Sequence, residues 1–225
     1  MKWILRLALA SALSALWAGA AAAGFAVDFE DAGVGAPPSS WTIAATNGGE
    51  RPAQWAVEEG GGPDGPGKFL SLVEPEGAGL LARFTVGGVF NLVWMPETRV
   101  RDLDASISIR ANHGNIDQGG GLIWRMRDAG NYYVARYNPL ERNLRLYFVR
   151  DGARVQLASA DGLPVGIGEW FTIRVVHIGT AIEVYLNGQK RLEMNDATFG
   201  DAGGIGVWTK ADAATSFDDL VVNEF

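Results

Sequence analysis

Arginine, tyrosine and asparagine crowd one short stretch of this 225-residue chain, where Arg125, Arg127, Asn131, Tyr132, Tyr133, Arg136, Tyr137 and Asn138 fall within fourteen positions. Aromatic rings offer flat apolar faces, while guanidinium and amide groups supply directed donors and acceptors. A ligand dense in hydroxyls calls for that combination. If the stretch is extended, alternation sends Tyr133 and Tyr137 to one side and Tyr132 and Arg136 to the other. Which side meets solvent is open at this point. Trp208, with Lys210 two positions on, adds a further ring and cation.

Acids and histidines are scarcer. His113 and Asp117 stand four apart in Asn112–Gln118, a polar connecting segment, and could serve as a base and its orienter. Glu141 is a third candidate base. His177 ends an apolar strand and reads as structural. Asp28 and Glu30 open the chain after its apolar start, and Asp218 nearly closes it. If the two terminal strands lie side by side, these carboxylates would hold one structural Ca²⁺, which takes six to eight oxygen ligands. With two His and no Cys, no transition-metal site is expected, and no other cofactor is required.

Composition bounds the rest. Residues 1–23 run from a basic start through an apolar stretch to an alanine-rich end, the layout of a signal peptide. The stretch is short for a bilayer span, which needs roughly 20 apolar residues. Export to the periplasm or beyond is the expectation, with 24–225 as a single domain and no membrane association after cleavage. The net charge of −7 argues against nucleic acid, which needs clustered Lys and Arg. Without cysteine there is no disulfide framework, so an apolar core must stabilise the domain. A monomer is expected.

These side chains need rigid elements to hold them, and period-two alternation supplies the signal. Ala105–Arg110, Leu122–Arg127, Leu144–Phe148, Phe171–Val175 and Ile182–Leu186 all alternate. In the second of these, Leu122, Trp124 and Met126 are expected on one face, with Arg125 and Arg127 opposite. Asn187-Gly188 predicts a tight hairpin. Further strands are expected over 25–30, 68–73, 79–86, 131–137, 153–159, 204–209 and 215–223. Gly60–Gly67 reads as a long turn-rich loop. A dozen or more strands without crossover helices predict an all-β fold, an antiparallel two-sheet sandwich.

Several phrases fall in an ordered series. Asn131-Tyr132-Tyr133-Val134-Ala135-Arg136, Gly168-Glu169-Trp170-Phe171-Thr172, Glu183-Val184-Tyr185-Leu186-Asn187-Gly188, Gly204-Ile205-Gly206-Val207-Trp208 and Ser216-Phe217-Asp218-Asp219-Leu220 occur in turn. The series resembles the 3-keto-disaccharide hydrolase-like domain of the concanavalin A-like lectin/glucanase (laminin-G-like) superfamily. The resemblance implies a concanavalin A-like jelly roll and a glycan or oligosaccharide partner. It also implies a Trp in the strand of Trp208 as a stacking ring. The E-x-D-x-x-E triplet of the sandwich glucanases is absent, which argues against conventional glucanase chemistry. A 3-keto glycoside is acidified by its own ketone, so one base suffices. His113, Asp117 or Glu141 would be that base, and Arg125, Arg127 or Arg136 the cation at the oxygen. Two further readings are a non-catalytic lectin-like module and a laminin-G-like protein-interaction module.

Overall fold

The computed structural model describes residues 24–48, 53–74 and 88–225. Residues 1–23 and the strand expected over 79–86 lie outside this set. The described chain forms strands β1 (Gly24–Val27), β2 (Thr42–Thr46), β3 (Gln54–Gly61), β4 (Pro66–Glu74), β5 (Phe90–Val100), β6 (Leu103–His113), β7 (Gly120–Asp128) and β8 (Asn131–Asn138). They are followed by β9 (Asn143–Arg150), β10 (Ala153–Asp161), β11 (Trp170–Ile178), β12 (Ala181–Leu186), β13 (Gln189–Asn195), β14 (Gly203–Lys210) and β15 (Ala214–Glu224). No α-helix occurs among the described residues, and none of their segments is a helix long and apolar enough to cross a membrane.

Two antiparallel sheets result. One has the order β13-β12-β11-β6-β15-β4-β3, with β1 paired on β15. The other runs β10-β9-β8-β7-β14-β5-β2. Alternation gives each strand an inward apolar set, and these sets meet in one layer. From the first sheet come Leu70, Ile107, Ile109, Ile173, Val175, Val184 and Phe217. From the second come Val93, Leu122, Trp124, Tyr133, Tyr137, Leu144, Leu146 and Val207. Fully burying one such aliphatic side chain contributes roughly 1.5–3 kcal/mol, and this layer supplies the main driving force for the fold.

Turn chemistry matches the sequence at β12–β13. Asn187 and Gly188 both have positive φ, 49° and 75°, as a two-residue hairpin of this hand demands. Elsewhere it corrects the expectation. Gly60–Gly67 is a hairpin rather than a long loop, because β3 and β4 stay paired out to Gly61 and Pro66 and Gly62 N–H closes the turn on Gly65 O. The strand expected over 25–30 stops at Val27, since Phe29 turns at φ 61°.

The larger correction concerns β7. Arg125 has φ 45°, and the ladder with β8 breaks between Trp124 and Asp128. The bulge flips the strand's faces. Leu122 and Trp124 enter the inter-sheet layer, while Met126 joins the opposite face. Arg125 is carried with it into a cage of loop carbonyls. Its Nε donates to Arg101 O at 2.7 Å, Nη1 to Phe199 O at 2.8 Å and Nη2 to Gly179 O at 3.2 Å, with Asp102 alongside at 3.2 Å. Its side chain has no solvent exposure, so it is a structural tie between three loops rather than part of an open platform. Arg125→Met is expected to destabilise the fold by about 3 kcal/mol, because it removes the donor shared by three loop carbonyls and the ion pair to Asp102, which keeps only the Gly179 N–H. Urea denaturation of the variant against the parent chain checks this.

Candidate functional site

The outer face of the seven-stranded sheet gathers most of the polar side chains named above. Its register sets one row across five strands. Arg145 of β9 lies opposite Arg136 of β8, Arg136 opposite Gly121 of β7, Gly121 opposite Trp208 of β14, and Trp208 opposite Leu92 of β5. Gly121 leaves the middle of this row open, and no larger residue fits there. A Cβ would stand 2.2 Å from Ala135 O and 2.8 Å from the Arg136 Cβ. Around the row, Phe90, Tyr132, Tyr147 and Trp208 form a second apolar cluster with Leu92, Ile123, Met126, Val134 and Val149. Phe90 and Trp208 are 5.2 Å apart between centroids.

Charge rings this aromatic floor. Arg136 reaches Glu141 at 2.7 Å and Asn143 at 2.9 Å, and Arg145 reaches Glu141 at 3.5 Å. Both guanidinium groups also approach the Tyr147 hydroxyl, at 3.5 and 3.4 Å. Arg154 of β10 lies over Tyr147 at 4.4 Å, over Phe90 at 5.1 Å and over Trp208 at 5.9 Å. On the other flank, Asp117 accepts from Lys210 Nζ and Asn138 Nδ2, each at 2.8 Å. Asn138 uses its oxygen to accept from the backbone N–H groups of Leu140 and Glu141, and so shapes the turn that presents Glu141. Asp212 does the same for Asp117. Its carboxylate accepts the N–H groups of Asn115, Ile116 and Asp117.

The electrostatics follow from these contacts. Burial works to raise the Glu141 carboxyl, but the Arg136 hydrogen bond and charge outweigh it and hold the group below the usual carboxylate range. Burial lowers the Arg154 guanidinium, and the nearby Arg136 charge acts in the same sense. Burial pushes the Tyr132 phenol up, so it stays protonated, with its hydroxyl 2.7 Å from Thr46 Oγ1. Three buried guanidinium nitrogens on this face find no hydrogen-bond acceptor among the described residues: Arg136 Nε, Arg145 Nε and Arg154 Nη1.

Thus Asp117, Arg136, Asn138, Glu141, Trp208 and Lys210 come together, and six other expected residues, the caged Arg125 among them, do not. Tyr133 and Tyr137 point into the inter-sheet layer, with Tyr137 donating to Val165 O at 2.9 Å. Arg127 is exposed, pairs with Asp201 and stacks on Phe199 at 5.1 Å. Asn131 closes the β7–β8 turn on Asp128. His113 ends β6 in the other sheet, and Asp117 spends its oxygens on Gln118, Asn138 and Lys210, so the expected base–orienter pair does not form. Trp208 is on the expected side but only 1% exposed, under Phe90 and Arg154, so its ring is not bare. Arg145, Tyr147 and Arg154 were missed. Recognising 138–143 as a hairpin loop would have set Arg145 beside Arg136.

Asp28, Glu30 and Asp218 do line one cavity of about 230 Å³, together with Asp64 and Asp219. Burial, and then the charges of Asp219, Glu30 and Asp28, push Asp218 up to about 7. Yet Glu30 is turned to the Lys68 N–H, and no three acid or histidine side chains among the described residues stand close enough to share an ion. As arranged, the expected calcium ligands do not form a coordination shell.

No family model matches the chain, and no curated protein matches it. Solved structures do. The carbohydrate-binding module CBM66 from Bacillus subtilis superposes with a TM-score of 0.58 at 18% identity, covering 82% of this chain and 96% of that one. Domain 4 of AbnA, an extracellular arabinanase from Geobacillus stearothermophilus solved with arabinotriose, gives 0.53 at 14%, covering 82% of each. The VIP36 exoplasmic/lumenal domain, solved with Ca²⁺ and Man3GlcNAc, gives 0.52 at 8%, covering 85% of this chain and 86% of that one. The fold is the concanavalin A-like jelly roll.

His177 is locked in the core beside these elements. Trp124 Nε1 donates to its Nδ1 at 2.9 Å, and its ring meets Tyr133 edge-on. Burial, reinforced by the Arg125 charge, lowers it to about 4 from 6.5. The unfolded chain therefore binds the extra proton first. The His177 contribution to stability is present above pH 6.5 and is lost as pH drops from 6.5 towards 4, while Asp218, raised to about 7, acts in the opposite sense over the same window. Melting curves of the parent chain and of His177→Gln check this, since the parent is expected to lose more stability than the variant as pH falls across that window.

Proposed function

We propose that this chain is an exported carbohydrate-binding domain that holds a saccharide on the outer face of its seven-stranded sheet. The observation that carries the reading is the convergence there of six residues that the sequence singled out, Arg136, Asn138, Trp208 and Lys210 for a hydroxyl-rich ligand and Asp117 and Glu141 as candidate bases. Arg136, Asn138, Asp117, Glu141 and Lys210 ring a floor of Trp208, Tyr147 and Phe90. Amides, carboxylates and guanidinium groups match hydroxyls as donors and acceptors, and the rings match the C–H faces of a pyranose or furanose. The carbohydrate-binding module and the arabinotriose-bound domain among the structural neighbours support the same class of partner. The apolar, alanine-rich residues 1–23 support export.

Binding is favoured over turnover because the two carboxylates that the sequence offered as bases on this face are already engaged. Glu141 is ion-paired with Arg136 and Arg145, and Asp117 with Lys210. A base for a 3-keto glycoside must be free to take a proton. Incubation with 3-keto-glucosides is expected to leave them unchanged, and product formation would restore the hydrolase reading.

The test of binding is a glycan array probed with residues 24–225. Retention on at least one saccharide is expected. Arg154→Gln should weaken it at least about tenfold, or about 1.4 kcal/mol, with no loss of melting temperature, since Arg154 is half-buried on the edge strand β10. Absence of retention on any glycan, or indifference to this change, overturns the proposal.

A further inference from the structure

We infer that the saccharide held by this face carries anionic groups, carboxylate or sulfate. The inference rests on the carbohydrate reading above and names the ligand class for that same site.

Charge is the first observation. Among the described residues the face holds four cationic side chains, Arg136, Arg145, Arg154 and Lys210, against three anionic ones, Asp117, Glu141 and, at the edge beside Arg145, Asp161. The chain as a whole is acidic, with a net charge of −7. A local positive excess on an acidic protein runs against its average composition. A positive face with a low-dielectric floor concentrates anions and repels cations.

The register is the second. Arg136 and Arg145 stand directly opposite each other on adjacent strands. Like charges in that position are destabilising, and Glu141 bridges both without cancelling both. A neutral saccharide relieves none of this repulsion. A carboxylate or sulfate set over the row does.

Unpaired donors are the third, and they point to oxygen-rich acceptors. Arg136 is 2% exposed, yet its Nε has no acceptor among the described residues. Arg145 Nε and Arg154 Nη1 are in the same condition. A buried donor without a partner is unfavourable, and few occur in native proteins. Three of them on one side of one sheet, all guanidinium groups, offer N–H groups and no competing acceptor. Guanidinium groups pair with carboxylate and sulfate oxygens through charge-assisted hydrogen bonds, stronger than those they make to hydroxyls. Tyr147, held between Arg136 and Arg145 with Arg154 over its ring, fixes the three guanidinium groups relative to one another.

Calorimetric titration of residues 24–225 compares each charged oligomer with its own neutral form. The probes are a galacturonate oligomer against the same oligomer with its carboxyls reduced to alcohols, and a sulfated galactan oligomer against its desulfated form. At least one charged member should bind at least about tenfold more tightly than its neutral partner. The gap should narrow as salt rises from about 0.05 M to about 0.5 M, where screening shortens the reach of charge. Arg154→Gln and Arg145→Gln should each narrow it as well, while Arg127→Gln, at the exposed ion pair with Asp201, should not. Neutral forms that bind as well as charged ones, with affinity still dependent on Arg154, would overturn the anionic ligand and keep the carbohydrate reading. Charged oligomers bound equally by the parent and both site variants would place the contact elsewhere and overturn the inference. Loss of binding by all four probes and by the wider array would overturn the carbohydrate reading itself, and the anionic ligand with it.

Discussion

Apolar side chains from two antiparallel sheets meet in one dry layer, and the remaining groups are placed by what that layer does not take up. Every second residue of β8 and β9 is drawn inward, so Tyr133, Tyr137, Leu144 and Leu146 are committed to the core. Their neighbours Tyr132, Arg136, Arg145 and Tyr147 are sent to the opposite face as a consequence of the period. The binding face is therefore not an independent construction. It is the complement of the core, read one residue out of step.

That complement would be untenable as bare charge. Arginines opposed across adjacent strands repel, and arginines laid on aromatic rings lose hydration. Two turns answer this. The β8–β9 turn, shaped by Asn138, brings Glu141 to Arg136 and Arg145. The loop after β6, held by Asp212, brings Asp117 to Lys210 and Asn138. Neutralisation is partial, and the guanidinium groups keep donors that face no acceptor. A fully neutralised face would be more stable and would have less to offer a ligand.

Alternation made the sandwich legible, because period two is a direct consequence of strand geometry and survives in single sequences. The Asn187-Gly188 hairpin was legible for the same kind of reason, as only a few residues tolerate two successive positive φ values. Arg125 was not. Its positive φ belongs to a residue with no intrinsic preference for it, and the bulge is sustained by carbonyls of Arg101, Phe199 and Gly179 that lie far away in sequence. Arg136, Asn138, Trp208 and Lys210 could be named from residue type and face. Arg154 was overlooked although Asp151-Gly152, with φ of 50° and 76°, marks the tight hairpin that pairs β9 with β10; what no local signal gives is the reach of its guanidinium over Tyr147. The acids at Asp28, Glu30 and Asp218 were correctly brought to one place, but nothing in their spacing told whether their oxygens converge.

The central claim is that a saccharide is held on the outer face of the seven-stranded sheet. Nitrogen-edited NMR during titration with the oligosaccharide that binds most tightly tests it most directly. The account predicts that the Trp208 indole N–H, the Arg136, Arg145 and Arg154 Nε–H groups and the Gly121 amide shift together, while Trp170 and Arg174 on the other sheet stay fixed. Shifts confined to the eight-stranded sheet, or to the loops at Arg127 and Asp201, would contradict it.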